Sequence, residues 1–152
     1  MMIKPKVYLD TTVPSAYCDN RTPERQKLTI QFWSERLPDF QPIVSDVVLL
    51  EVDGNPNVKQ RDNIRKLIED FEILNLDNES RNLAKSYVER EIFSEKYLSD
   101  ANHVAIAVVN NINYLVSWNF RHLVKVNTRR LINLTNILLG FEQIEIISPP
   151  EL

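Results

Sequence analysis

The stretch SDANHVAIAVVNNINYLVSWNF, Ser99 to Phe120, decides the fold. Its first half is apolar nearly all round, and a helix apolar on most sides is a buried helix. Ser99 is placed to cap that helix and Asp100 stands at its start. After a turn comes a short strand, Tyr114 to Ser117, with the polar Asn119 just past its end. This order puts Asp100 where a core opens onto the carboxyl end of a sheet, the edge at which open α/β folds hold their ligands. A second apolar segment, Lys6 to Leu9, also ends in an acid, Asp10. Two acids delivered to one sheet edge repel each other unless something positive joins them, and a divalent cation is the simplest such partner.

Working outward, Val7 to Leu9 reads as a buried strand, and Thr11 or Thr12 as the cap of a short helical turn containing Pro14. Pro23 to Leu37 reads as a helix with Thr22 as its cap and Leu28, Phe32 and Leu37 on its inner side. Pro42 to Ser45 is a second strand, followed by a helix from Val47 to about Val52 that carries Glu51 and is capped by Ser45 or Asp46. Asp53-Gly54-Asn55-Pro56 breaks it. Asn57 to Asp70 is a helix with Val58, Ile64, Leu67 and Ile68 on one side, and Phe71 to Leu76 a third strand. Asp77 or Asn78 caps a helix through about Phe93, with Leu83, Tyr87 and Ile92 inward. Asn127 to Leu139 is a further helix that Gly140 is placed to end. Glu145 to Ser148 is a candidate last strand. Strands separated by helices imply right-handed crossovers and a mainly parallel sheet of four to five strands with helices on both faces. Residues 1 to 152 read as one α/β domain, with no repeat, low-complexity tract or linker.

Composition narrows the function classes. Hydrophobic residues make up 43% of the 152 and charged residues 26%, an ordinary globular balance. No apolar run approaches the roughly 20 residues of a membrane span, and the apolar run of MMIKPKVYLD is too short for a signal peptide. The single cysteine, Cys18, forms no internal disulfide, which favours a reducing cytoplasm; its ordinary role is a small inert side chain. A net charge of −3 argues against coating nucleic acid by bulk charge. It leaves room for a local basic patch, and RHLVKVNTRR at 121 to 130 holds Arg121, Lys125, Arg129 and Arg130 with no acid among them. Taken alone, that segment is a solvated helix face. Two glycines in the whole chain exclude the dinucleotide fingerprint and the Walker A loop.

Asp10, Glu51 and Asp100 lie far apart in sequence but near the ends or starts of elements. Each acid alone reads as a helix cap or surface charge. Together they fall on one edge, because all strands of a parallel sheet share their carboxyl ends. Glu51, about a turn and a half into its helix at roughly 3.6 residues per turn, can lean back towards the other two. Carboxylate oxygens are hard donors suited to Mg²⁺ or Mn²⁺. A metal there eases loss of a proton from water and offsets charge on a phosphoryl oxygen, so the acid cluster points to phosphodiester hydrolysis. Zinc is not favoured, since Cys18, His103 and His122 show no close ligand spacing, and no G-x-S-x-G elbow marks a serine hydrolase. His103, one turn after Asp100, either faces the cleft or packs in the core. His122 is a phosphate contact or a surface residue, and Trp33 and Trp118 are core or cleft wall.

The motifs Y-L-D-T-T-V at Tyr8 to Val13, S-D-V-V-L-L-E-V at Ser45 to Val52 and S-D-A-N-H-V-A-I-A at Ser99 to Ala107 resemble PIN-domain proteins. Y-L-V-S-W-N-F-R-H-L at Tyr114 to Leu123 is similar to a branch of the VapC-type toxins of type II toxin–antitoxin pairs. The four motifs stand in family order across nearly the whole chain. The resemblance implies a three-layer α/β/α PIN-like fold, a Mg²⁺- or Mn²⁺-dependent ribonuclease acting on RNA, a cognate antitoxin that blocks the cleft, and a homodimer. By position, Asp10, Glu51 and Asp100 are then the metal-binding and catalytic acids. Thr11 takes a supporting hydroxyl position, and His103 is a second supporting residue. Asn119 falls where many PIN nucleases carry a fourth acid, so it is at most a weak ligand, and a second metal becomes doubtful. Arg121, Lys125 and Arg129 are the residues that would grip an RNA backbone.

Two other classes compete with the nuclease. One is a PIN-fold module that binds RNA or protein, its cleavage weakened or lost through Asn119. The other is a phosphatase or receiver-type aspartyl-phosphate protein. A dehalogenase-like phosphatase wants an acid where Thr12 stands, and a receiver wants paired acids where Asp10 is alone.

Overall fold

The computed structural model describes residues 3 to 152. Five strands form one sheet: β1 (Lys6–Leu9), β2 (Gln41–Ser45), β3 (Glu72–Leu74), β4 (Tyr114–Val116) and β5 (Glu145–Ile147), in the order β3-β2-β1-β4-β5. Every pairing is parallel, with Tyr8 opposite both Ile43 and Leu115, and Val116 opposite both Leu9 and Ile147. The helices are α1 (Thr12–Cys18), α2 (Pro23–Glu35), α3 (Asp46–Asp53), α4 (Val58–Leu67), α5 (Asn78–Glu89), α6 (Leu98–Val109) and α7 (Val126–Leu138).

The chain steps from β1 to β2 to β3, then crosses back to β4 and β5 on the other side of β1. Right-handed crossovers in opposite directions put α1 to α4 on one face and α5 to α7 on the other. The packing agrees: α1 lies against α2 and α4, and α5 against α6. The three-layer α/β/α arrangement expected from the sequence is present. The reversal of direction falls between β1 and β4, the topological switch point at whose carboxyl ends such sheets hold ligands.

Local chemistry explains most boundaries. Ser45 caps α3 by accepting the Val48 N–H, Asn57 caps α4 through Gln60, and Asp77 caps α5 through Ser80. Gly140, at φ +83°, follows α7 in the left-handed conformation that a helix stop requires. Residues Ala101 and His103 to Val108 of α6 are all buried, as its all-round apolar pattern demands.

Several expectations need correcting. Pro38 ends α2 two residues before Leu37, which lies in a short 3₁₀ turn, and Leu28 is exposed while Thr29 takes the inner position. Val58, at the start of α4, faces solvent, and α4 stops at Leu67. α5 ends at Glu89, where Glu91 turns left-handed at φ 62°. Ser99 does not cap α6: the helix begins at Leu98 after a 3₁₀ turn, so Ser99 already lies in its first turn. Thr11 occupies the cap position of α1 without a side-chain cap bond, because its hydroxyl is used elsewhere.

Candidate active site

Asp10 leaves β1 at the switch point and is buried, with 2% of its surface exposed. An ionised carboxylate so enclosed needs hydrogen bonds. Thr12 supplies two to Oδ1, from its N–H at 3.1 Å and its hydroxyl at 2.5 Å. Ser117, at the end of β4, donates its hydroxyl to Oδ2 at 2.6 Å. The two grips are themselves tied down, since Trp118 N–H donates to Thr12 Oγ1 at 2.8 Å and Asn119 N–H to Ser117 Oγ at 2.9 Å. Burial still pushes the Asp10 pKa above the usual carboxylate range, against the pull of His103 and of these two hydroxyls.

Glu51 projects from α3 and is partly exposed. Its Oε1 accepts from Thr11 Oγ1 at 2.9 Å and from His103 Nε2 at 2.5 Å. Burial alone would raise its pKa, but the His103 hydrogen bond and charge outweigh it, with Thr11 and Ser99 hydroxyls adding to the pull, and Glu51 falls below its ordinary value. Asp100, half-buried in the first turn of α6, is raised by burial, opposed by His103 and His122.

His103 is the hub of the cluster. It is 2% exposed: it packs inside the core while one edge touches Glu51. Its other nitrogen, Nδ1, lies 2.6 Å from the Tyr8 hydroxyl, which is 2.7 Å from Ser45 Oγ. Burial pulls the His103 pKa down, but the Glu51 hydrogen bond and the charges of Asp10, Glu51 and Asp100 raise it above the ordinary imidazole value. Hydrogen bonds link the acids on this edge: Asp100 to Asn119, Asn119 to Ser117 and Ser117 to Asp10, with Glu51 joined to His103. α3 and α6, one from each helical layer, meet there across the end of the sheet.

Asn119 turns its amide nitrogen, not its oxygen, towards Asp100. Its Oδ1 accepts the His122 N–H at 3.0 Å and its Nδ2 donates to Asp100 Oδ1 at 3.3 Å. The backbone donor fixes which way the amide points, so nitrogen faces the acid. Asn119 therefore steadies Asp100. His122 stacks on Tyr97, ring centroids 3.8 Å apart, joining the turn after β4 to the approach to α6. Among the basic residues, Arg121 and Lys125 are exposed, whereas Arg129 is half-buried and donates to the Ile146 carbonyl at 3.2 Å. Trp118 is core, its Nε1 donating to Thr29 Oγ1 at 2.9 Å. Cys18 is a free, half-buried thiol whose pKa burial raises.

The sequence reading missed Thr12, Ser117, Tyr8 and Ser45. Thr12 had a signal, being a hydroxyl two residues after a strand-end acid, the spacing of an Asx turn. The other three depend on strand register and have none.

Among the described residues, no three acidic, histidine or cysteine side chains converge into a ready-made metal cage. The donors do suit a hard cation that keeps its waters: such an ion needs only one or two carboxylates, and oxygens are what Asp10, Glu51 and Asp100 offer.

No family model matches the sequence, and no curated protein matches it. Solved structures do resemble it. VapC20 of Mycobacterium tuberculosis, a toxin that cleaves the sarcin–ricin loop, superposes with a TM-score of 0.63 at 14% identity, covering 77% of this chain and 92% of that one. VapBC2 of Rickettsia felis, bound to a promoter DNA fragment, gives 0.55 at 12% identity over 93% and 97%. DNA-bound VapBC of Salmonella typhimurium gives 0.54 at 15% over 93% and 98%. At these identities the likeness is one of fold, and it is the PIN-like fold that the sequence motifs imply.

Proposed function

We propose that the chain is a divalent-metal-dependent endoribonuclease and the toxin of a type II toxin–antitoxin pair. The observation that carries this reading is the hydrogen-bonded linkage of the three acids at the switch point of the sheet: Asp100 to Asn119, Asn119 to Ser117, Ser117 to Asp10, and Glu51 to His103 on the helix that bears Asp100. The likeness to VapC20 supports RNA as the substrate, and the VapBC complexes support a cognate antitoxin as partner. A homodimer and a cytoplasmic site of action belong to the same proposal. No helix among the described residues is long and apolar enough to cross a membrane.

Asp10, Glu51 and Asp100 would hold Mg²⁺ or Mn²⁺, which supplies activation of water and offsets charge on the phosphodiester. Thr12 and Ser117 keep Asp10 in place and favour its ionised form. Thr11 and His103 do the same for Glu51, and Asn119 for Asp100. Arg121 and Lys125, free on the turn after β4, would take the RNA phosphates, with Arg129 bracing that turn against β5.

The test is incubation of the antitoxin-free protein with single-stranded and structured RNAs, with Mg²⁺, with Mn²⁺ and with chelator, beside Asp100→Asn. Metal-dependent cuts that vanish in the variant establish the nuclease. A second reading, a PIN-fold module that binds RNA or protein without cutting, draws on two observations: among the described residues the acids form no ready-made metal cage, and Asn119 presents no charge. A folded wild type that binds RNA but cuts none of it selects that reading.

A further inference from the structure

A carboxylate standing partly in water, as Glu51 does, swings freely unless something fixes it. We propose that His103 is the positioning residue for Glu51, and that Tyr8 and Ser45, inside the core, set the His103 ring so that its Nε2–H always faces the carboxylate. This role rests on the reading of Glu51 as a metal-holding acid.

The argument is one of donors and acceptors. Ser45 Oγ already accepts the Val48 N–H at 3.4 Å, so its own proton is available to Tyr8 Oη at 2.7 Å. Tyr8 then gives its proton to His103 Nδ1 at 2.6 Å. With Nδ1 accepting, the ring proton sits on Nε2 and goes to Glu51 Oε1 at 2.5 Å. Every group in this chain of four is used, and no buried side-chain nitrogen or oxygen among the described residues lacks a partner. A doubly protonated ring would also donate from Nε2. The arrangement these neighbours reject is the Nδ1–H tautomer, which sets a nitrogen lone pair against a carboxylate oxygen. Tyr8, Ser45 and His103 are all at most 2% exposed, so the setting is isolated from solvent.

Thr11 and His103 both bond Oε1, from opposite layers of the fold, which holds the carboxylate in one orientation. Outer partners of this kind typically govern metal affinity about 10–100-fold.

Two amide substitutions separate the nitrogens. In His103→Gln the amide nitrogen reaches the place of Nε2 and keeps the bond to Glu51. In His103→Asn the shorter amide reaches only the place of Nδ1. Mn²⁺ is titrated calorimetrically into the wild type, both variants and Tyr8→Phe, without RNA, after circular dichroism confirms folding. The Asn variant is expected to lose about 10–100-fold in Mn²⁺ affinity, the Gln variant to recover most of it, and Tyr8→Phe to fall between. Long-range ¹⁵N–¹H spectra of the metal-free wild type should show His103 protonated at Nε2, and a mixture in Tyr8→Phe. Equal Mn²⁺ affinity in all variants, Gln and Asn equally impaired, or an Nδ1–H wild type overturns the role of His103. A wild type that takes up no Mn²⁺ defeats instead the metal reading of the three acids, and this role with it.

Discussion

The grip on Asp10 makes Ser117→Ala the most informative single change. The hydroxyl donates to a carboxylate that is almost wholly enclosed, at 2.6 Å, and the alanine methyl leaves no replacement donor. A hydrogen bond to a charged group is worth about 1.5–3 kcal/mol, against about 0.5–1.5 for a neutral pair. At neutral pH the variant should therefore lose about 2 kcal/mol, a fall in Tm of about 4–8 °C for a chain of this size. The pH dependence follows from the sign of the Asp10 shift. Burial raises its folded pKa, so the fold favours the neutral acid; that preference stabilises fully below the unfolded pKa and is lost as pH rises through the folded one. Removing Ser117 raises the folded pKa further. The deficit of the variant is thus greatest at neutral pH and shrinks towards the neutral-bond value as pH falls through the Asp10 pKa. The assay is a pair of thermal melts at several pH values. A variant that melts with the wild type at neutral pH, or one whose deficit is the same across the range, refutes the assignment of a charge-assisted bond.

Asn119→Asp would replace the amide facing Asp100 with a second carboxylate, lowering metal-free stability while enlarging the stabilisation by Mn²⁺; melts with and without the ion check both signs. Asn57→Ala removes the cap of α4 and should cost about 1 kcal/mol in urea unfolding, with Asn57→Ser restoring most of it. Burial raises the phenols of Tyr8 and Tyr87, so neither should ionise before the chain unfolds in base. Their contribution to stability is whole below their unfolded pKa of about 10 and falls away as pH rises from there through the folded values; an ultraviolet titration followed beside circular dichroism detects an earlier ionisation.

What the sequence revealed was mostly local. Strand and helix order, the Ser45 cap, the Gly140 stop and the buried character of α6 each depend on residues within a few positions of one another. The three acids were legible because strand ends in a parallel sheet share an edge. Leu28 and Val58 misled because apolar spacing marks a face without saying whether anything covers it. Ser99 misled because a 3₁₀ turn, which hydroxyl capping patterns do not announce, begins the helix early. Arg129 read as a free cation because the carbonyl of Ile146, on another element, was invisible. The direction of the Asn119 amide likewise depends on the His122 backbone.

The hydrogen bonds that define the site span long intervals of chain. Glu51 and His103 are 52 residues apart, Tyr8 and His103 95, and Asp10 and Ser117 107. Contacts of this span carry a loop-closure cost before they reward it, which slows the folding of such topologies. β1 emerges early in synthesis, yet until β4 docks beside it Asp10 lacks its Ser117 grip and Glu51 its imidazole. A nascent chain thus has no assembled centre until residues 100 to 117 of its 152 have been made, since Asp100, His103 and Ser117 all lie in that stretch.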